Sequence, residues 1–119
     1  MTPEEVVRGE LAAWDRLDVD AIVSYFDPDA VYDNVPIGVS SGHAEIRQVV
    51  ESWVSRMTSL NIEILNLAVA GDTVLTERVD HTVTADGKTM HTRAMGAFDI
   101  AGEKITAWRD YFEMSHAES

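Results

Sequence analysis

Residues 73–112 read TVLTERVDHTVTADGKTMHTRAMGAFDIAGEKITAWRDYF and carry the clearest structural signal in the chain. Apolar and polar residues alternate along this stretch, as they do in β-strands whose successive side chains point to opposite faces. Turn residues interrupt the alternation at Asp86-Gly87 and Ala101-Gly102, and Gly71-Asp72 precedes it. The pattern predicts four consecutive strands, over residues 61–70, 73–84, 88–100 and 104–114.

The residues ahead of these strands have helical spacing. Thr2 and Glu5 form a capping box around Pro3, which predicts a first helix that runs to about Leu17. The acidic residues of this helix are expected to form a solvated face. Three further segments are predicted: a second, short helix that ends before Pro28, a strand over residues 30–34, and a third helix along Ile46 to Met57 after a loop over residues 36–42.

Helices followed by an antiparallel meander predict an α+β fold in which the helices cover one face of a curved sheet. The concave face of such a sheet is a natural pocket. The chain has 119 residues and no linker, repeat or low-complexity stretch, so a single domain over residues 1–119 is expected.

Composition argues against several classes of partner. The 21 acidic residues outnumber the 9 basic ones, and the formal charge of -12 disfavours binding to nucleic acid or to an anionic membrane surface. No apolar stretch approaches the ~20 residues of a membrane span, and no leader peptide is expected, because the first residues lack a charged-then-apolar pattern. Without cysteine there is no disulfide and no thiolate metal site. A cytoplasmic protein without a cofactor is expected, since no glycine-rich phosphate loop is present either.

The alternation of side chains along the strands places charged residues on faces that also carry large aromatic residues. Asp110 shares a strand face with Trp108 and Phe112, so its carboxylate must either pair with a cation or have a pKa raised by desolvation. Arg78 and Asp80 share one face of another strand and are well placed to approach it. These residues predict an Asp–Arg–Asp cluster in an apolar cavity. A purely structural buried ion pair is the alternative.

The ratio of two acidic side chains to one basic side chain favours a catalytic role over a purely structural ion pair. Arg78 can neutralise only one negative charge well, so one of the two aspartates is encouraged to keep its proton. Such a pair separates a general acid from a general base near neutral pH.

Three separated stretches add a family signal: residues 76–80 read TERVD, residues 108–112 read WRDYF, and residues 32–36 read YDNVP. Together they resemble the T-E-R-x-D, W-R-D-Y-F and Y-x-N-x-P segments of the limonene-1,2-epoxide hydrolase family, within the nuclear-transport-factor-2-like and SnoaL-like superfamily. The resemblance extends from the first helix to about Phe112. It implies a cone-shaped α+β domain with three N-terminal helices, a curved, mixed, mostly antiparallel sheet and a deep pocket.

The resemblance also implies catalytic roles. Asp110, Tyr32 and Asn34 would hold the attacking water, with Asp110 as the general base. Asp80 would protonate the epoxide oxygen as the general acid, and Arg78 would bridge the two carboxylates. Such a site converts a small or medium apolar epoxide to a vicinal diol in one step, without metal, cofactor or covalent intermediate.

Five side chains are expected to line the substrate pocket: Trp108, Phe112, Thr92, Ala94 and Met57. Thr92 and Ala94 stand where the limonene enzyme has larger aliphatic residues, which predicts a wider and more polar cavity. Little sequence precedes Pro3, whereas typical family members carry an N-terminal extension that helps to close the pocket. A more open site, or one closed differently, is therefore expected.

The turn at Asp86-Gly87 decides which residue faces Asp80. A two-residue turn would pair Asp80 with Arg93 and add a second cation to the site. A three-residue loop with Gly87 as the bulge would pair Asp80 with Thr92 instead, since a shift of one residue exchanges the faces. The apolar residues of this strand favour the longer loop, with Thr92 inside and Arg93 outside.

The opposite face of the sheet is predicted to be too apolar to remain solvated, which indicates a homodimer through the sheets. Its apolar residues are Leu75, Val79, Val83, Met95, Ala97 and Tyr111. His81 and His91 could approach each other on this face. No third ligand accompanies them at metal spacing, so a surface or interface role is favoured over a metal site.

Two other kinds of function stay open on the same fold, because fold does not determine function. One is a polyketide cyclase or ketosteroid-isomerase-like enzyme, which also uses a cavity acid to move protons. The other is a non-catalytic protein that binds a small ligand. The Tyr32–Asn34 pair beside the Asp–Arg–Asp cluster favours the hydrolase, whose partners would be an apolar epoxide and water.

Overall fold

Three helices and six strands form residues 1–114, which are the residues that the computed structural model describes. The predicted α+β class is confirmed. The longest helices have 13 residues, and no helix in this part of the chain is long and apolar enough to cross a membrane. The elements are α1 (Pro3–Asp15), α2 (Val19–Ser24), β1 (Phe26–Asn34), β2 (Gly38–Ser41), α3 (Gly42–Val54), β3 (Met57–Ala70), β4 (Thr73–Thr84), β5 (Thr89–Ala101) and β6 (Lys104–Phe112).

The six strands form one mixed sheet in the order β2-β1-β6-β5-β4-β3. Strand β1 runs parallel to β6, and every other neighbouring pair is antiparallel. The sheet is therefore mixed and mostly antiparallel, as the family resemblance implied. The parallel pair brings the end of β1 next to the end of β6, although about 75 residues of chain separate them.

Helices α1 and α3 bury their apolar stripes against the sheet. Val6, Val7 and Leu11 of α1 are almost fully buried, as are Ile46 and Val50 of α3. Complete burial of such side chains stabilises the fold by about 1.5–3 kcal/mol each. They pack in one cluster with sheet residues that include Phe26, Val74, Phe98, Ile105 and Trp108.

The predicted start of α1 is confirmed. Thr2 Oγ1 accepts a hydrogen bond from the Glu5 backbone at 3.2 Å, and Glu5 Oε1 accepts one from the Thr2 backbone at 2.8 Å. The two bonds satisfy donors that the first turn of a helix leaves unpaired. The helix itself ends at Asp15, two residues before the predicted end.

Three segments differ from the predictions by several residues, whereas the ends of β5 and β6 differ by only one or two. Strand β1 begins at Phe26 rather than at residue 30, and the predicted loop over residues 36–42 contains strand β2. Met57 was expected in the third helix but begins β3, where it pairs with Thr84. In each case a partner strand supplies hydrogen bonds that local sequence preference does not encode.

The start of β6 departs from strict alternation. Ala107 pairs with Asp99, whereas Ile105 pairs with Ile100, so Thr106 is an extra residue in a β-bulge. The bulge turns Ile105 to the same face as Trp108, where it is fully buried.

The β4–β5 hairpin has the predicted three-residue loop. The Thr84 backbone N–H donates to the Lys88 carbonyl at 2.8 Å, and Gly87 takes a φ of +87°, which suits glycine. Asp80 consequently pairs with Thr92, and the exposed Arg93 side chain forms an ion pair with Glu113. The predicted register is confirmed.

Candidate active site

A cavity of about 420 Å³ lies between helices α1 and α3 and the face of the sheet that they cover. Most of its wall is apolar or aromatic, and the polar side chains that line it include Arg78, Asp80 and Asp110. This is the usual composition of a small-molecule site. Its apolar wall includes Trp14, Trp53, Leu60, Ile62, Met90 and Phe112.

Arg78 lies between two aspartates at the bottom of this cavity. It donates to Asp110 from Nη1 at 2.8 Å and from Nη2 at 3.0 Å, in a bidentate pair. It also donates to Asp80 from Nε at 3.2 Å and from Nη2 at 3.1 Å. The three residues that alternation placed together therefore form one hydrogen-bonded cluster.

The two carboxylates have unequal surroundings. The side chain of Asp110 is 4% exposed and that of Asp80 is 23% exposed, so Asp80 is the more accessible from the cavity. Burial raises the pKa of Asp110 above its ordinary value, although Arg78 opposes the shift. Burial also disfavours the charge of Arg78, but the two aspartates outweigh it and raise the pKa of Arg78.

The parallel pairing of β1 with β6 positions the other two predicted catalytic residues. Asn34 lies opposite Asp110, and Tyr32 lies opposite Trp108. The rings of Tyr32 and Trp108 stack at 4.5 Å between centroids, with 12° between their planes. Burial keeps the pKa of Tyr32 well above its ordinary value, so its hydroxyl is a neutral donor.

Asn34 contributes an unsatisfied polar atom beside the cluster. Its Oδ1 atom is buried and has no hydrogen-bond partner within residues 1–114. Buried oxygens are rarely left without a donor, because desolvation is then uncompensated. This acceptor next to Asp110 suits a small hydrogen-bond donor.

Gly96 is a site residue that sequence reasoning missed. It lies in β5 directly opposite Asp110. A Cβ atom built at this position would lie 2.9 Å from Arg78 Nη1, 2.9 Å from Trp108 Nε1 and 3.1 Å from Asp110 Oδ1. The site therefore needs the space of a missing side chain. A glycine in a strand interior was the available signal, since it often marks a close approach.

Four of the five predicted pocket residues line the cavity, namely Met57, Thr92, Trp108 and Phe112. Ala94 does not: it is buried between Arg78 and Phe112 in the neighbouring strands, and its methyl group is outside the cavity lining. Lining residues that the sequence analysis did not single out include Ile37, Arg56, Leu60, Ile62, Thr82 and Thr84.

The face of the sheet away from the cavity carries the histidine pair. His81 Nδ1 lies 2.7 Å from His91 Nδ1, and His81 Nε2 lies 2.9 Å from Glu63 Oε1. Across residues 1–114, no three histidine, aspartate or glutamate side chains are grouped so that they could hold a metal ion. On the same face, Leu75, Met95 and Tyr111 are exposed.

Comparison with known proteins gives a family and distant relatives. The family model described as SnoaL-like domain matches residues 7–108. Epoxide hydrolase EphG of Mycobacterium tuberculosis (strain ATCC 25618 / H37Rv) is 27% identical over 108 residues, which cover 91% of this chain and 71% of the relative. The solved structure of an M. tuberculosis LEH-like epoxide hydrolase is 26% identical with a TM-score of 0.82, over 94% of this chain and 83% of that one.

A third comparison shows a likeness of fold alone. The structure of SalBIII, described as an epoxide hydrolase/cyclase-like enzyme with a role in pyran ring formation in the polyether salinomycin, has a TM-score of 0.84. It is 24% identical, over 96% of this chain and 92% of that one.

Proposed function

The chain belongs to the SnoaL-like domain family, and from this premise we propose that it is a cofactor-independent epoxide hydrolase. It would convert a small or medium apolar epoxide to a vicinal diol. The observation that carries the proposal is one buried arginine bound by two carboxylates in an apolar cavity. Distant relationship to epoxide hydrolases supports it.

The nucleophile in this proposal is water activated by Asp110. Tyr32 and Asn34 orient the water through neutral hydrogen-bonding groups, and the unsatisfied Asn34 Oδ1 is available to accept a hydrogen bond from the O–H group that the water keeps. Asp110 removes the other proton as the water oxygen attacks an epoxide carbon. A carboxylate with a raised pKa is a better base near neutral pH than an ordinary aspartate.

Asp80 supplies the proton on the leaving side. As the C–O bond of the ring breaks, the epoxide oxygen takes the Asp80 proton and becomes the second hydroxyl of the diol. Arg78 donates hydrogen bonds to both carboxylates, so the proposed acid and base belong to one hydrogen-bonded cluster. The proton gained by Asp110 must return to Asp80 before the next turnover, and Arg78 bridges both groups.

The apolar wall holds the carbon skeleton of the substrate and limits access of bulk water. Ring strain provides much of the driving force, so positioned acid and base groups suffice for opening. Trp53 meets Phe112 edge to face at 5.9 Å, and the two rings give the cavity an aromatic side. Cyclic and aryl epoxides are therefore the substrates to test.

The decisive experiment is hydrolysis of cyclic and aryl epoxides in ¹⁸O-labelled water, in a single turnover with excess enzyme. Direct attack puts the label into the diol. Asp110→Asn should lower the rate by on the order of 10²–10⁴. The matched control is Asp72→Asn, the same change in an exposed turn, which should retain full activity.

Three results would contradict the proposal. Unlabelled diol in the first turnover would indicate an ester intermediate on the enzyme. A cyclic ether formed from a hydroxy-epoxide, without diol, would indicate a cyclase. Background rates for both the native protein and Asp110→Asn, together with undiminished ligand affinity, would indicate a binding protein.

The outer face of the sheet is proposed to pair with a second copy of the chain. Its exposed apolar residues lie on strands β4, β5 and β6. Four of its charged residues form two internal pairs, Arg109 with Asp99 and Arg93 with Glu113, and Glu77 accepts a hydrogen bond from Asn66. These pairs reduce the repulsion between two chains that each carry a formal charge of -12.

A further inference from the structure

Glu10 is a buried acid that the proposed mechanism does not use. It lies on α1 among the apolar side chains Val6, Val7 and Leu11, and it is completely inaccessible to solvent. The acidic residues of this helix were expected to form a solvated face. For Glu10 that expectation was wrong, because α1 turns this side chain toward the sheet.

One contact connects Glu10 to the cavity wall. Trp14 Nε1 donates a hydrogen bond to Glu10 Oε2 at 2.7 Å. Trp14 lines the cavity, and its ring lies 6.1 Å from that of Trp53, which also lines it. Glu10 Oε1 is buried and has no hydrogen-bond partner among the residues that the structure describes.

The charged groups around Glu10 would not neutralise its carboxylate if it ionised. Helix α1 packs on helix α2 and on strands β3 to β6. The charged or titratable groups that act on Glu10 are Arg78 and Asp80 of β4, Asp110 of β6 and Tyr32 of β1. Arg78 is already bound by both aspartates. Burial raises the pKa of Glu10 to about 8, against the opposing effects of Trp14 and Arg78.

We propose that Glu10 is a positioning residue that, as a neutral acid, holds the Trp14 indole in the cavity wall, and that its ionisation sets an alkaline limit to substrate binding. A buried carboxylate without a cation is strongly unfavourable. Water can reach it only if α1 moves away from the sheet, and Trp14 then moves with the helix. The effect on turnover rests on the proposed epoxide hydrolase function, whereas the effect on Trp14 does not.

The first test observes Trp14 directly and needs no substrate. The indole ¹H–¹⁵N signal of Trp14, assigned by its loss in Trp14→Phe, is followed from pH 6 to pH 10. It should shift with a midpoint near pH 8 in the native protein and stay constant in Glu10→Gln, whose amide oxygen still accepts the hydrogen bond. A constant signal in the native protein, or the same titration in Glu10→Gln, would overturn the proposal.

The second test measures KM and kcat for an aryl epoxide over the same pH range. In the native protein KM should rise about tenfold per pH unit above pH 8, as expected for one ionisation, while kcat at each pH stays equal to that of Glu10→Gln. Glu10→Gln should abolish the rise, and Glu51→Gln, the same change at an exposed position of α3, should leave it intact. Identical pH profiles for native protein and Glu10→Gln would refute the link to binding.

A third variant tests whether Glu10 positions the Trp14 indole or only occupies space in the core. Glu10→Met keeps an unbranched side chain but offers no acceptor to the Trp14 indole. KM for the aryl epoxide should rise severalfold at pH 7, and Glu10→Gln should restore it. Equal KM values for the two variants would contradict the positioning role. Absence of any epoxide turnover would overturn the proposed function and leave the Trp14 titration to decide on Glu10.

Discussion

Asp110 and Glu10 are both buried carboxyl groups, but their partners differ. Asp110 accepts two hydrogen bonds from the charged Arg78, whereas Glu10 accepts one from the neutral indole of Trp14. Burial raises the pKa of both carboxyl groups. Only at Asp110 does a hydrogen-bonded cation strongly oppose this rise in pKa. The difference suits Asp110 to act as a base and Glu10 to remain a neutral acid near pH 7.

The raised pKa of Asp110 predicts the acid limb of the activity profile. A general base works only when deprotonated, so kcat/KM should fall as pH decreases through the pKa of Asp110. The midpoint should lie above ~4, the ordinary value for aspartate. A pH–rate profile for epoxide hydrolysis between pH 3 and pH 9 measures it. A midpoint at or below ~4 would contradict the assignment of Asp110 as the base.

Glu10 predicts a pH dependence of stability. Its folded pKa of about 8 lies above the unfolded value of 4.5, so the folded state binds the proton more tightly. The resulting stabilisation is fully present below pH 4.5 and is lost as pH rises to about 8. Glu10→Gln has no carboxyl group to ionise at this position and does not lose this stabilisation. Its free energy of unfolding should therefore rise relative to that of the native protein by up to ~1.4 kcal/mol per pH unit in that window.

Urea unfolding at pH 5, 7 and 9 measures this difference. The free energy of unfolding of Glu10→Gln minus that of the native protein should increase from pH 5 to pH 9. Glu51→Gln provides the control, because an exposed carboxyl group should give a constant difference. A constant difference for Glu10→Gln as well would show that Glu10 does not titrate with the expected folded value.

At the scale of elements, three strands meet around one glycine. Gly96 of β5 pairs with Thr76 of β4 and Asp110 of β6. The side chains of Arg78 and Trp108 fill the space that a Cβ atom at this position would occupy. At this position strand β5 thus contributes to the site through its backbone alone.

Gly96→Ala should disturb the site more than the fold. The added methyl group must displace Arg78, Trp108 or Asp110, and such overpacking costs about 1–3 kcal/mol. We expect kcat/KM for an epoxide to fall at least tenfold. Gly71→Ala, in an open turn with a φ of +62°, should cost a similar ~1–2 kcal/mol through backbone strain and leave kcat/KM unchanged. Equal kcat/KM for the two variants would contradict the packing argument.

At the scale of the whole molecule, the sheet has one face covered by helices and one face open. Leu75, Met95 and Tyr111 are 44%, 55% and 51% exposed on the open face. The proposed pairing of two copies would cover them and add apolar area to the buried surface.

The predicted assembly is a homodimer, with twice the 13.2 kDa mass of one chain. Light scattering after size-exclusion chromatography measures this mass. Leu75→Asp should shift it to that of one chain, because a carboxylate in the interface would be desolvated without a partner. Val39→Asp, on the edge strand β2, should leave the dimer intact. A monomeric native protein at all concentrations would refute the pairing.

The sequence by itself determined the features that depend on neighbouring residues. Alternation and turn residues located β4 at residues 73–84, and the Thr2–Glu5 capping box located the start of α1. The apolar set of β5 selected the hairpin register that places Thr92 opposite Asp80. Strand alternation also placed Arg78 and Asp80 on one face, because side-chain direction repeats every two residues.

The tertiary structure alone decided what depends on distant partners. The parallel contact of β1 with β6, which places Asn34 opposite Asp110, follows from no local pattern in either segment. The bulge at Thr106 and the space at Gly96 exist only once neighbouring strands are packed. The burial of Glu10 depends in the same way on which face α1 turns to the sheet, since burial is a property of the surrounding atoms rather than of the residue.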